Sequence, residues 1–384
     1  MRIALLAHNL HTGGGYTLGR ELIHQFLLMA GNHDYVISLP ESRDYSFLES
    51  NPKAEMIRFP VTTYWERYRR EMTLARRLDQ WGCDWAWWLG NLGFVFPRCP
   101  QSVYVRTAYT VDYPLKNWGI SPWDLKFRLR RYLERLLIRR TMSHSRSVYV
   151  QTDTMRTRIL RTYPFLRESD VHLCRVRTLF SEEIEPSLET KEFFQRLSVT
   201  DYGRFRCLYV SHYHPHKNID RILTAFSRYR DALSDVVLYL TIDAAKRDGQ
   251  ILTRKLETLQ LTNSVRLIGQ YAHTDIPYLY RNADISLFPT LLETIGHGHI
   301  ESMYFGLPLI ASDIDFAHEC CADAAYYIDP FSCEAIAKAI VELRDNPRRR
   351  SELSRLGILR THVEQPGWHE ILGPVLDAEG ITHD

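Results

Sequence analysis

Two glutamates eight positions apart, Glu293 and Glu301, flank the glycines Gly296 and Gly298 in the stretch ISLFPTLLETIGHGHIESMYFGLPLIASD at 285–313. A carboxylate accepts paired hydrogen bonds from neighbouring hydroxyls. Glycines that open a helix leave unpaired amides at its positive end, where a phosphate sits readily. Acids on either side of such a cradle suit a ligand with sugar hydroxyls on both sides of a pyrophosphate, the layout of a nucleotide-sugar. A cation for the same diphosphate stands upstream. Lys217 lies in the loop His212-Tyr213-His214-Pro215-His216-Lys217-Asn218, just before a predicted helix at Ile219 to Tyr229.

The elements that must hold these groups follow from pattern. Ile285 to Pro289 is a short apolar run of the kind that forms a strand buried on both faces, and Pro289 cannot donate to a ladder. Glu293 then lies in the loop at the carboxyl end of a strand, where open parallel sheets bind ligands, and Glu301 lies about one turn into the next helix. Gly306 and Pro308 stop that helix, and Leu309 to Ala311 resumes as a strand. Further strands are predicted at 205–211, 236–243, 265–271 (ending at Gly269) and 324–328, with a helix at 333–346. In the first half, a strand at 2–7 leads through a loop, His8 to Gly15, into a helix from Tyr16 to Met29. Gly13-Gly14-Gly15 lets backbone approach a ligand closely. It is not Gly-x-Gly-x-x-Gly, and no acid follows at the distance a dinucleotide ribose needs, which argues against a dehydrogenase. CDWAWWLGNLGFVFP and SVYVRTAYTVDYP supply two strands with Asn91, Arg106, Asp112 and Tyr113 at or after their ends, and Ser147 to Gln151 supplies another.

Glu293-Thr294-Ile295-Gly296, then Glu301-Ser302-Met303 and Gly306-Leu307-Pro308-Leu309-Ile310, resembles the donor-site signature of retaining GT-B glycosyltransferases, the group 1 or family 4 enzymes. The resemblance is specific over about 205–343. It implies an α/β fold of two doubly wound Rossmann-like domains facing across a cleft, and transfer of a sugar from a UDP- or GDP-sugar to a glycan or lipid-linked saccharide. The implied setting is bacterial cell-surface polysaccharide synthesis. By that resemblance Glu293 contacts the transferred sugar and, with Lys217, acts in catalysis. Glu301 holds the ribose, and the amides of Ile295, Gly296 and His297 beside Thr294 contact diphosphate or sugar. Lys217 and His212 face the phosphates, with His212 standing where the family has Arg, so that its charge depends on pH. Gln270 and Tyr271 contact the base, and Gly14 and Gly15 approach the donor. Asn91, Arg106 and Asp112 are implied on the acceptor side. Arg106 replaces a family His and suits an anionic acceptor or a structural salt bridge. The implied domains are 1–180 for the acceptor, an acidic linker at 181–204, 205–365 for the donor, and a helix at 366–384 returning to the first domain. A GT-B epimerase or hydrolase, or a nucleotide-sugar-binding protein without turnover, would share this architecture.

The length, 384 residues, accommodates two such domains. Net charge is only +2, but residues 1–180 hold 27 Lys and Arg against 16 Asp and Glu, and residues 181–384 hold 21 against 30. A basic first half points to an anionic surface or substrate. Two basic stretches with interleaved apolar residues, 65–81 and 123–140, read as helices that either lie on an anionic membrane or pack their apolar side on the sheet. No nucleic-acid-binding module is recognised. No apolar run approaches the ~18 residues that span a bilayer, and a cytoplasmic protein, peripheral at the inner membrane face, is expected. The seven cysteines lack Cys-x-x-Cys spacing and are expected to be reduced thiols. His212, His214, His216, His297 and His299 are completed by no Cys or carboxylate at ligand spacing, so neither metal nor other cofactor is expected.

Overall fold

Short apolar runs too buried to alternate build two all-parallel sheets, one in each half of the chain. The computed structural model describes residues 1–10, 13–41, 43–48, 51–60, 63–111, 125–175, 185–272, 274–363 and 365–382. Among them the chain forms two compact units, the first drawn from 1–111, 125–175 and 366–382, the second from 185–363 and Gln365.

The first unit holds β1 (Arg2–Leu6), β2 (Asp34–Pro40), β3 (Ala54–Phe59), β4 (Trp85–Trp88), β5 (Gln101–Tyr104), β6 (Ser147–Val150) and β7 (Val171–Leu173), ordered β3-β2-β1-β4-β5-β6-β7. Every pairing is parallel. The central WAWW of β4 is wholly buried, as strands covered by helices on both faces must be. The helices that alternate with these strands are α1 (Gly13–Met29), α2 (Tyr64–Trp81), α3 (Leu125–Met142) and α4 (Asp153–Thr162). Here the sequence expectation needs correction, because Gly13, Gly14 and Gly15 are the first turn of α1 and not a loop. Their amides are therefore the unpaired donors of a 17-residue helix.

In the second unit α5 (Leu188–Thr200) precedes β8 (Phe205–Tyr209). Residues 188–200 were expected to be linker. Instead Ser187 caps α5 and donates, through N and Oγ, to the buried Asp275 carboxylate, while Phe194 packs against Tyr239 and Tyr278. The acidic composition of the stretch lies on the outer face of this helix and hid its apolar side. There follow α6 (Ile219–Arg228), β9 (Val236–Leu240), α7 (Arg247–Thr258), β10 (Val265–Leu267), α8 (Ile276–Arg281), β11 (Ile285–Phe288), α9 (His297–Tyr304), β12 (Leu309–Ser312), α10 (Asp315–Cys321), β13 (Ala325–Ile328), α11 (Cys333–Asp345) and α12 (Pro347–Ile358). The sheet order is β10-β9-β8-β11-β12-β13, parallel throughout. In both sheets the order turns back on itself once, between β1 and β4 and between β8 and β11. Ligands of open α/β sheets bind at such reversals, beyond the carboxyl ends of the strands.

The last helix, α13 (Trp368–Glu379), belongs to the first unit. Its buried Glu379 accepts hydrogen bonds from Ser102 Oγ at 2.6 Å and Tyr149 OH at 2.7 Å, with Arg146 at 3.7 Å. Trp85 Nε1 donates to the same Ser102 hydroxyl at 3.0 Å, so α13 is tied to three neighbouring strands. All seven cysteines are free thiols. No helix among the described residues is long and apolar enough to cross a membrane.

Candidate functional site

At the reversal of the second sheet, the loop after β8 delivers Lys217 and the loop after β11 delivers Glu293. Lys217 Nζ lies 2.5 Å from Glu293 Oε1, with both side chains partly exposed. The two loops are held together by bonds that span the reversal. Leu291 N donates to His216 O at 2.7 Å, and Asn218 Nδ2 donates to Pro289 O at 2.9 Å and Pro330 O at 2.7 Å. Asn218 is buried at φ 60°, a left-handed conformation that Asn tolerates, and its Oδ1 accepts from Arg221. Tyr209, at the end of β8, donates to the carbonyl of Lys217 at 2.8 Å. Sequence reasoning missed Asn218, Tyr209 and Arg221 as positioning residues. The one local signal was a polar Asn directly before a helix; its partners lie 71 and 112 positions away.

Beyond Glu293 the chain turns through Thr294 and the buried Ile295 to Gly296, which caps α9 at φ 75°. A Cβ at Gly296 would stand 2.4 Å from His299 Nδ1, and one at Gly298 would stand 2.3 Å from the Phe288 ring. Glycine at both positions lets the amino end of α9 sit directly on the end of β11, with the Gly296 and His297 amides leading the helix. His299 is buried against Phe288 and Phe316, and burial with the nearby Lys217 charge drives its pKa down to about 3, so the ring is neutral. One turn further, Glu301 accepts from Tyr280 OH at 2.8 Å. Burial pushes the Glu301 pKa up to about 7, against the opposing pull of that hydrogen bond and of Lys217. Tyr280, a residue that sequence reasoning missed, orients the second acid.

His212 opens the β8 loop. Desolvation, then the Lys217 and Lys246 ammonium groups, lower its pKa from the ordinary histidine value, which disfavours the charged form that would stand in for an arginine. His212, His214 and His216 form a run of ring contacts, with the last two stacked at 5.7 Å. Among the described residues no group of three or more His, Cys, Asp or Glu side chains is placed to hold a metal ion. Gln270 and Tyr271 follow β10 at the edge of the sheet. Gln270 Oε1 accepts from Lys246 at 2.5 Å, and Tyr271 OH is turned back to Ile268 O at 2.8 Å. The structure thus brings together Lys217, Glu293, Gly296, His297 and Glu301 at the reversal and leaves Gln270 and Tyr271 to one side.

The first unit has its own cluster at its own reversal. Arg106, just after β5, is held by its amide, which donates to Asn91 Oδ1 at 2.6 Å. Its guanidinium lies over the Tyr104 ring and reaches the first turn of α1, where a Cβ on Gly15 would stand 2.9 Å from Nη2. Its Nε is buried without a hydrogen-bond partner, and desolvation lowers its pKa from the ordinary arginine value. No carboxylate pairs with it among the described residues. A guanidinium beside Gly15 adds positive charge to the amino end of α1, where the amides of the first turn are unpaired. Asp112 lies outside the described residues.

Comparison with known proteins agrees with this architecture. The family described as glycosyl transferases group 1 matches residues 191–359. The chain is 24% identical over 268 residues to O-antigen chain mannosyltransferase B of Escherichia coli, and the match covers 65% of each chain, just under two thirds of that relative. In fold it is similar to sucrose-phosphate synthase from Thermosynechococcus elongatus, with TM-score 0.73, 16% identity and 98% of both chains covered. It is similar also to Anabaena HepE crystallised with UDP-glucose, with TM-score 0.69, 13% identity and 99% of both chains covered. The acid pair, the glycine-opened helix and the lysine all lie inside the segment that matches the group 1 glycosyltransferases, and the chain has the GT-B fold.

Proposed function

We propose that the protein transfers a sugar, with retained anomeric configuration, from a nucleoside-diphosphate sugar to a glycan or lipid-linked saccharide acceptor in cell-surface polysaccharide synthesis. The observation that carries this reading is the meeting of Lys217 and Glu293 at the sheet reversal, beside the amino end of α9. A diphosphate placed on the Gly296 and His297 amides would draw the Lys217 ammonium from Glu293 and release that carboxylate to hold sugar hydroxyls. Glu301, steadied by Tyr280, would accept from the ribose. As the bond to the leaving diphosphate breaks, Lys217 and the helix amides stabilise the charge that develops there, and no metal is required of them. The acceptor attacks from the face the leaving group departs, and the departing phosphate takes its proton. Arg106 and Asn91, beside Gly14 and Gly15, would meet a negatively charged acceptor. HepE supports a UDP-sugar donor, and the mannosyltransferase relative supports a polysaccharide product.

The test is nucleoside diphosphate release from UDP- and GDP-sugars, with and without a lipid extract, followed by NMR of the product anomer. Acceptor-dependent release with retention supports the proposal. Release at full rate with no acceptor would point to hydrolysis or epimerisation, and binding without release to a non-catalytic protein.

A further inference from the structure

Amphipathic helices of an α/β domain ordinarily turn their apolar stripe to the sheet. α2 does so over its second half, burying Leu74, Ala75 and Leu78, with ion pairs of Arg67 with Glu71, Arg77 with Glu55, and Asp79 with Arg98; of its described apolar side chains only Trp65 and Tyr68, near its start, are largely exposed. α3 does the reverse. Ile138, Thr141 and Met142 face inward, while Leu129, Tyr132, Leu133, Leu136 and Leu137, at helical spacing, are 57, 60, 51, 44 and 44% exposed. Two further exposed rings flank this helix, Phe96 under the Arg140 guanidinium and Phe165 under that of Arg139. Apolar side chains gathered on one outward face mark a surface that meets something other than water.

The charges decide what that is. Arg130, Arg131, Arg135, Arg139 and Arg140 share the helix with one acid, Glu134, which is bonded to Arg131 at 2.6 Å. A second copy of the chain meeting this face about a two-fold axis would oppose these arginines to one another. An anionic bilayer offers phosphate to the arginines and hydrocarbon to the leucines in one plane, and α3, at 18 residues, is too polar to span it and long enough to lie in it. We propose that α3 is an in-plane docking helix for an anionic phospholipid surface, with Leu129, Leu133, Leu136 and Leu137 entering the headgroup boundary and Arg130, Arg139 and Arg140 on the phosphates. For the basic stretch at 65–81, where membrane contact and packing on the sheet were both open, the buried Leu74, Ala75 and Leu78 favour packing on the sheet. The proposal does not rest on the catalytic reading.

Flotation of the whole chain with phosphatidylcholine vesicles, and with vesicles containing one quarter phosphatidylglycerol, tests it. Binding only to the anionic vesicles is expected. Leu133→Glu with Leu136→Glu should reduce it at least tenfold at any salt concentration. Arg139→Gln and Arg140→Gln should each reduce it about fivefold at low salt, and Trp65→Ser on α2 should leave it unchanged. An unaltered circular dichroism spectrum, with resistance of the first unit to limited proteolysis equal to the parent's, would show that the leucine variants are folded. No difference between the leucine variants and the parent would overturn the proposal. So would concentration-dependent dimerisation, seen by sedimentation and abolished by the leucine changes.

Discussion

Replacement of Lys217 by alanine isolates the step on which the proposed chemistry turns. In the unliganded chain its ammonium is spent on Glu293 at 2.5 Å; in the transition state it would face a leaving group gaining charge. One unit charge about 4 Å from another, at an effective dielectric near 20, is worth about 4 kcal/mol. Part of that is offset by the Glu293 contact given up. The remainder is comparable to the roughly 2.7–4 kcal/mol lost when one preorganised donor to a developing oxyanion is removed, or about 10²–10³ in kcat. Lys217→Ala should therefore lower kcat by about 10²–10³ while changing the donor KM much less, measured as UDP or GDP release. Both side chains are partly exposed, so the melting temperature should move only slightly. Lys217→Arg, which keeps the charge, should recover part of the loss. The double variant Lys217→Ala with Glu293→Gln should fall well short of the product of the two single losses, because each single change strands the other's partner. A kcat for Lys217→Ala within fivefold of the parent would refute the reasoning.

Glu301 carries an opposite pH signature. Its folded pKa, about 7, lies above the ordinary carboxylate value, so stability from this group is greatest below the unfolded pKa and falls as pH rises toward 7. Glu301→Gln should melt higher than the parent at pH 8, lose that advantage by pH 5, and bind nucleotide about 10–100-fold more weakly in calorimetry. Asn218→Ala removes two hydrogen bonds to buried carbonyls and leaves alanine at positive φ; denaturant titration should give a loss of roughly 2–4 kcal/mol. Glu379→Ala strands the Ser102 and Tyr149 hydroxyls and should lower the unfolding transition of the first unit by roughly 6–20 °C, for a cost of about 3–5 kcal/mol, read by calorimetry. Turnover in excess EDTA should equal turnover with magnesium, since Lys217 and the α9 amides supply the positive charge; strict dependence on added metal would contradict that assignment.

How far these features were legible in sequence depended on the range of the interactions behind them. The strand, turn, helix and strand at 285–313 were readable because Gly296, Gly306 and Pro308 act on their own backbone, and Gly296 and Gly306 do adopt positive φ. Lys217 was readable from its place before a helix. Asn218 and Tyr280 were not, since their importance lies in partners on other strands. Periodicity marked 123–140 as a helix with an apolar stripe but carries no sign for which side meets the sheet, and α3 turned out inverted. At Gly13 to Gly15 propensity misled in the usual direction: glycine disfavours a helix interior, yet the first turn tolerates it. In 181–204 the run of acids suggested a solvated tether, and Phe194 alone anchors α5 well enough to contradict it.

The tie between Glu379 and the Ser102 and Tyr149 hydroxyls also orders events at the ribosome. Because α13 is made after the entire second unit, the amino-terminal unit emerges first yet lacks a covering piece until nearly two hundred further residues have been translated. The later-made half can thus be native while the earlier one still waits with Tyr149 and Ser102 unsatisfied, reversing the common order of vectorial folding. Ribosome-arrested chains ending before residue 366 should accordingly bind nucleotide while their amino-terminal half remains open to protease.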